Sequence, residues 1–384
     1  MRILFYRYHS ICETDIQKAF DQLGIEVKTL WNDQICEDSE KVSDFLMKNE
    51  VNAVFSVNFF PFLSDVCNVF GLIYVSLVVD SPVLELYSKS VSNKVNRFFI
   101  FDRKLSEEIS HFNDKVWHYP LSGGFYKERL FNQKNAYELK KYRHDIAFVG
   151  SLYTEKDPFM ELTFTDDYIK GYLEGIMAIQ EFAYGAWIID DAVSDEIVEK
   201  TASGSKKFYY GKEGDYLTKR VVLTQLCMGN HVAAMERQDT FEYLSKRFNV
   251  SLYTGSNTSK LPKVHAMGLA NSTEEMPLIF KESKININTT SKAIRTGLPQ
   301  RIFDIMSCQG FVLSNYQEEI PEFFEIGQEI EVYTCLEELA DKCSFYLEHE
   351  KERKEIALNG YKKVKDKYSY IKKIPEMFVT AFER

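Results

Sequence analysis

The chain has 384 residues, 45% of them hydrophobic and 14% aromatic, enough to build two domains each with its own apolar core. A formal net charge of −10 excludes broad binding to a nucleic-acid backbone, which rests on clustered Lys and Arg, although a few donors can still hold a small anion. The seven cysteines (Cys12, Cys36, Cys67, Cys227, Cys308, Cys335 and Cys343) are widely spaced and never set as C-x-x-C, so neither a disulfide framework nor a zinc site is indicated, and a reducing, cytoplasmic setting is expected.

The N-terminal MRILFYRYHS carries Arg2 and Arg7 around a very short apolar run without a small-residue cleavage site, so it is expected to start the fold rather than act as a secretory signal. Short β-rich runs then alternate with helical periodicity: RILFY, a helix near Glu13 to Leu23, EVKTLW, a helix near Ser39 to Lys48, NAVFSV, LIYVSLVV, RFFIF and KVWHY. This is a βαβ rhythm, and runs such as LIYVSLVV are apolar on both faces, as parallel strands covered by helices must be. Residues 1–125 are read as a first Rossmann-like domain. The longest apolar stretch, Val69 to Val79, reads as a buried strand with its lead-in; a membrane helix needs about 20 apolar residues, so no stable membrane insertion is expected.

Residues 126–144 are polar, rich in Lys, Asn, Gln and Arg, and read as a linker. A second strand series begins with DIAFVGS and, after a detour over about 156–248, resumes with VSLYTG, VHAMG, KININT, FVLSN and EIEVYT, giving a second Rossmann-like domain over 145–370. The detour contains long helical patterns broken near TASGSKK and is read as a helical insertion. The tail from Glu337 to Arg384 is helical by periodicity, with breaks expected near Gly360 and Pro375, and 371–384 is read as a helix able to cross back to the first domain. The fold class is therefore α/β, with two doubly wound domains in tandem and a ligand site expected in a cleft at the carboxyl ends of their strands. Fold alone names no chemistry.

The most informative segment runs from Lys284 to Glu319, KININTTSKAIRTGLPQRIFDIMSCQGFVLSNYQEE, and reads as strand, polar loop, Gly-containing turn, helix, Gly, strand. Pro299 suits the first helical turn, Gly297 lets backbone approach a ligand, and the unpaired N–H groups of a helix start form an anion site. Ile302, Ile305 and Met306 mark a buried stripe, with Arg301, Asp304 and Cys308 on another face. Asp304 is placed to accept hydrogen bonds from ribose hydroxyls. From spacing alone, the plainer account is a surface ion pair between Arg301 and Asp304 on an ordinary crossover helix.

A resemblance changes that weighting. The string INTTSKAIRTGLPQRIFDIMSCQGFVLSNYQEEIPEFFEIGQEIEVY, followed by HEKERKEIALNGYKKVKDKYSY, resembles the C-terminal domain of the CgeB-like spore-maturation glycosyltransferase family, as do DIAFVGSLY, GYLEGIMAIQEFAYG and EMPLIFKESKININ. NAVFSVNFFPFLSDVC and YVSLVVDSPVLELYS resemble the domain that precedes it in many such proteins, so the resemblance covers nearly the whole chain. It implies a GT-B fold, with a nucleoside-diphosphate sugar in the C-terminal domain and a glycan or protein acceptor facing mainly the N-terminal one. It also implies that Asp304 holds the donor ribose. Gly297, Leu298, Gly150 and Ser151 would lie at the diphosphate, Arg295 or Arg301 would neutralise its charge, and the turn Gly268 to Ala270 would hold the base through backbone groups. Many retaining GT-B members carry two glutamates separated by seven residues; here the residue eight before Asp304 is Thr296, which leaves the stereochemical outcome open.

In the N-terminal half, His9, Asn58 and Asp80-Ser81-Pro82 follow strands, and if the enzyme inverts, Asp80 or His9 could serve as general base toward the acceptor, with Asn58 and Ser81 on the acceptor side. The plainer account of Asp80 is a turn residue or helix N-cap ahead of Pro82, and that of His9 a satisfied loop residue. The acidic pairs Asp166-Asp167 and Asp190-Asp191 are read as surface charge in the insertion, because adjacent helical residues point about 100° apart. Neither a metal site nor a cofactor is expected, and the donor counts as substrate. The competing readings are a non-catalytic carbohydrate-binding or spore-surface assembly protein, and a dinucleotide-dependent oxidoreductase, the latter disfavoured because no G-x-G-x-x-G opens either Rossmann half.

Overall fold

The apolar runs become parallel strands in two sheets of six. The computed structural model describes residues 1–125, 131 and 133–383; part of the expected linker, 126–130 and 132, lies outside these. The first sheet holds β1 (Arg2–Arg7), β2 (Glu26–Trp31), β3 (Ala53–Val57), β4 (Ile73–Val78), β5 (Asn96–Ile100) and β6 (Val116–His118) in the order β2-β1-β3-β4-β5-β6. All five residues of β3 are buried, which is why the strand reads as an unbroken apolar run. Its helices start where the chain supplies caps. The Asp38 side chain accepts the Glu40 and Lys41 N–H groups ahead of the helix Ser39–Lys48, and Asp102 does the same for Lys104 and Leu105. Val69 proves to be 83% exposed: the helix Pro61–Phe70 runs on to Gly71 at φ +65°, so only Ile73 onward is strand.

The second sheet holds β7 (Ile146–Val149), β8 (Val250–Tyr253), β9 (His265–Gly268), β10 (Ile285–Asn288), β11 (Val312–Asn315) and β12 (Glu331–Tyr333), ordered β12-β11-β10-β7-β8-β9. Counted from β7 this is the 3-2-1-4-5-6 arrangement of a doubly wound sheet. Between β7 and β8 the chain forms α1 (Asp167–Glu181), α2 (Asp195–Gly204) and α3 (Gly229–Ser245), the last continuing from a wider-wound turn over Val222–Met228. α4 (Met276–Glu282) precedes β10, and α5 (Gln300–Ser307) joins β10 to β11. Every residue of α5 from Ile302 to Ser307 is buried, so it is a core helix rather than the one-faced surface helix that spacing suggested.

The tail forms α6 (Leu336–Glu348), α7 (Glu350–Lys367) and α8 (Tyr370–Phe382), with breaks at His349 and Ser369 instead of Gly360 and Pro375. Gly360 continues the buried stripe Arg353, Ile356, Ala357, Val364, and a Cβ there would collide with the Glu329 carbonyl oxygen. Glycine is used there for close approach, not to end the helix. Pro375 lies on the exposed side of α8, where water can take up the carbonyl left without an amide partner.

By its internal contacts the chain divides into two compact units, one of Met1–Tyr126, Gly211–Leu217 and Asp366–Arg384, the other of Lys127–Tyr210 and Thr218–Lys365. Within the first, α8 packs Phe378 against Phe20 and Phe55, with ring centroids 6.1 and 6.2 Å apart. The Arg97 Nε donates to the Ala381 carbonyl at 2.9 Å.

Candidate functional site

In the first sheet the strand order reverses between β1 and β3, and ligands of open α/β sheets bind at the carboxyl ends beside such a reversal. Asn58, the residue that leaves β3, sits at φ +57°, a conformation Asn tolerates better than most side chains. Its Nδ2 donates to the Tyr8 hydroxyl at 2.8 Å and to Asp80 Oδ2 at 2.7 Å, while its Oδ1 accepts the Val79 N–H at 2.9 Å. The amide is thus fully engaged, and it fixes an exposed carboxylate by one oxygen. Burial, and next the Asp80 charge, push the Tyr8 hydroxyl pKa up. Asp80 caps no helix: the short helical turn after it begins at Leu84, with Val83 at its N-cap. Ser81 forms a cis peptide bond with Pro82.

His9 goes elsewhere. Its Nε2 lies 2.7 Å from Asp33 Oδ2, its ring stacks on Trp31 at 4.8 Å, and its side chain is 61% exposed. Glu13, nearly fully buried, accepts the Tyr8 N–H at 2.8 Å and the His9 N–H at 3.2 Å and pairs with Arg7, which fixes the turn after β1.

In the second sheet the reversal lies between β7 and β10. Gly150 leaves β7 with its N–H on the Tyr253 carbonyl; a Cβ would stand 3.0 Å from the Phe148 ring. Ser151 Oγ accepts the Tyr153 N–H and donates to Glu155, both at 2.7 Å. On the other side, the loop Thr289–Leu298 is buried apart from half-buried Arg295, and Gln317 Nε2 reaches the Ile294 carbonyl at 3.1 Å and the Gly297 carbonyl at 3.4 Å. Leu298 is buried, and Pro299 is the N-cap of α5 rather than part of its first turn. The Ile302 N–H of its first turn donates to the Pro299 carbonyl at 3.1 Å. Asp304, one turn in, is 4% exposed and accepts from Gln300 Nε2 at 3.1 Å, so it is not part of a surface ion pair.

Arg301 Nη1 contacts Met276 Sδ at 3.2 Å, with its guanidinium 5.4 Å from the Phe280 ring centroid, so Arg301 packs on α4. Arg295 lies 4.0 Å from Asp190. Asp190 is therefore half-buried and engaged rather than plain surface charge, and Asp166 is the N-cap of α1. Gly268, at φ +77°, ends the edge strand β9, all of whose residues are exposed; Ala270 is half-buried in the turn beyond. Among the described residues no three His, Cys, Asp or Glu side chains converge as a metal would need, and no helix is long and apolar enough to cross a membrane.

Sequence reasoning missed four residues here. Arg237, on α3, donates from Nη1 to the Ser151 carbonyl at 2.5 Å and from Nη2 to the Thr289 carbonyl at 2.6 Å. Its neighbour Glu236 accepts from Asn315 Nδ2 at 3.1 Å and faces Lys292 Nζ at 3.7 Å. Burial pushes the Glu236 carboxyl pKa up and the Lys292 ammonium pKa down, each opposed by the other's charge. Nothing in the sequence set them apart: Glu236 and Arg237 are adjacent opposite charges, but the same helix also carries Asp239 and Glu242.

Residues 238–378 match a family model described as glycosyl transferase-like. A comparison with curated protein sequences gave no match. Among solved structures, a glycosyltransferase from Rickettsia africae superposes with a TM-score of 0.57 at 11% identity, covering 100% of this chain and 99% of that one. HepE from Anabaena, in complex with UDP-glucose, superposes with a TM-score of 0.52 at 11% identity, covering 99% of each chain. With the two six-stranded parallel sheets, these likenesses establish the GT-B fold.

Proposed function

We propose that the protein is a glycosyltransferase of the CgeB-like type, moving a hexose or related sugar from a nucleoside-diphosphate donor to a glycan or protein acceptor. The observation that carries this reading is the glycosyl transferase-like match, because residues 238–378 contain β10, the loop Thr289–Leu298 and α5 at the reversal of the second sheet. In this reading the backbone at Gly150, Ser151, Gly297 and Leu298 and the start of α5 meet the diphosphate, whose leaving charge is stabilised without a metal. Asp304 accepts from the ribose, and the Gly268–Ala270 backbone holds the base. Asp80, fixed by Asn58, takes the proton of the acceptor hydroxyl. Because HepE is described with UDP-glucose, uridine nucleotides are the first donors to try.

The test is a panel of nucleoside-diphosphate sugars, read first by thermal stabilisation and then by released nucleoside diphosphate. A ligand at a hundred times its Kd stabilises by roughly 2.7 kcal/mol. Binding without any release, across acceptors, would favour a carbohydrate-binding or surface-assembly role; no binding at all would overturn the donor-site reading.

A further inference from the structure

α3 brings two adjacent charged residues, Glu236 and Arg237, to the reversal of the second sheet, 2% and 8% exposed. Taking charges out of water costs several kcal/mol per ion unless bonding offsets it, so their partners matter. The two Arg237 bonds run to different loops, one leaving β7 and one leaving β10, the strands on either side of the reversal. The guanidinium lies over the Tyr153 ring at 4.4 Å, which holds its plane, and its Nε has no hydrogen-bond partner.

The peptide groups it grips are held at both ends. The Ser151–Leu152 peptide gives its carbonyl to Arg237 and its N–H to Ser256 Oγ at 2.7 Å. The Thr289–Thr290 peptide gives its carbonyl to Arg237 and its N–H to Asn315 Oδ1 at 2.8 Å, and Asn315 is the residue that Glu236 grips. Two neighbouring residues of one helix therefore tie together the carboxyl ends of β7, β10 and β11. A planar fork carries its donors on two separated nitrogens in fixed directions, whereas an ammonium has three rotatable donors on a single atom.

We infer that Arg237 is a positioning residue: it holds the loops after β7 and β10 at the separation that receives a nucleoside diphosphate. The inference rests on the proposed donor site and gives the insertion a role in it. Arg237 acts through Ser151 and Thr289 and touches no reacting atom.

The experiment uses the full chain, its Arg237→Met variant, which keeps the stem and loses the fork, and its Arg237→Lys variant, which keeps the charge. Amide hydrogen exchange is followed over 150–154 and 288–292, UDP binding by calorimetry, and donor KM and kcat separately. In Arg237→Met both loops should exchange faster together while β1 and β3 stay as protected as in the parent. The UDP Kd should rise about tenfold or more, and donor KM should rise with kcat unchanged, the sign of lost binding rather than lost chemistry. Arg237→Lys should protect one loop and leave the affinity low. Parental exchange in both loops of Arg237→Met, or loosened loops with parental UDP affinity, would overturn the inference. If Arg237→Met does not fold, the Lys variant decides, because full UDP affinity there denies the need for a fork. A parental protein that binds neither UDP nor any other nucleoside diphosphate sinks the donor-site reading and this inference with it, and the exchange data then still show whether Arg237 ties the two loops.

Discussion

Replacing Asp80 with Asn separates a carboxylate that takes a proton from one that only shapes a turn. Asn58 donates to Asp80 Oδ2 at 2.7 Å, and the amide oxygen of an Asn at this position can still accept that bond. What is lost is the charge. A hydrogen bond to a charged group contributes about 1.5 to 3 kcal/mol and a neutral one about 0.5 to 1.5, so folding should weaken by roughly 1 kcal/mol. Because Asp80 is exposed, water offsets part of even that. General-base help is worth about 10²- to 10⁴-fold, or roughly 2.7 to 5.4 kcal/mol in the barrier. The loss of rate should thus exceed the loss of stability several-fold. Initial transfer rates at saturating donor, taken with thermal unfolding and donor affinity on the same preparation, read both quantities. Transfer at the parental rate would show that Asp80 is a turn residue.

Asp304→Ala should weaken nucleoside-diphosphate binding by roughly 1.5 to 3 kcal/mol, the range for hydrogen bonds to a charged group, and an unchanged Kd by calorimetry would count against the ribose contact. Transfer should survive EDTA, since helix-start amides are assigned to the leaving diphosphate; loss on chelation with recovery on adding Mn²⁺ or Mg²⁺ would refute this. Glu181, 5% exposed, has its carboxyl raised to about 7 from an ordinary 4.5 by burial and by the Asp239 charge. The folded state therefore keeps a proton that the unfolded chain releases, so this group's contribution is full below about pH 4.5 and is lost as pH rises through about 7, by on the order of 3 kcal/mol. Glu181→Gln should flatten the change in urea midpoint between pH 5 and pH 8; an unaltered pH dependence would reject the assignment.

The strands were legible because parallel strands covered on both faces leave continuous apolar runs, as in NAVFSV and LIYVSLVV. The helix ends at Gly360 and Pro375 were not. Whether glycine ends a helix or admits a neighbour depends on what packs there, and the Glu329 carbonyl lies 31 residues away in sequence. Asn58 and Asp80 could be named because each lies within two residues of a strand's carboxyl end, but Tyr8, which completes their network, had only its place beside His9 to mark it. Arg237 carried no local mark of its role. Its partners lie 86 and 52 residues away, and only the winding of the second sheet brings them together.

The final helix bears on how this protein can be taken apart. α8 comes last in the chain, yet it supplies Phe378 to the aromatic core of the first unit and takes the Arg97 side chain on its Ala381 carbonyl. The first unit is assembled from three separate lengths of sequence. A fragment ending at residue 126 would leave Phe20 and Phe55 facing water and would be prone to associate through that face. Exchanging this unit with that of a relative means carrying the last helix along with the N-terminal strands, so recombination has to respect the packed unit rather than a single cut point.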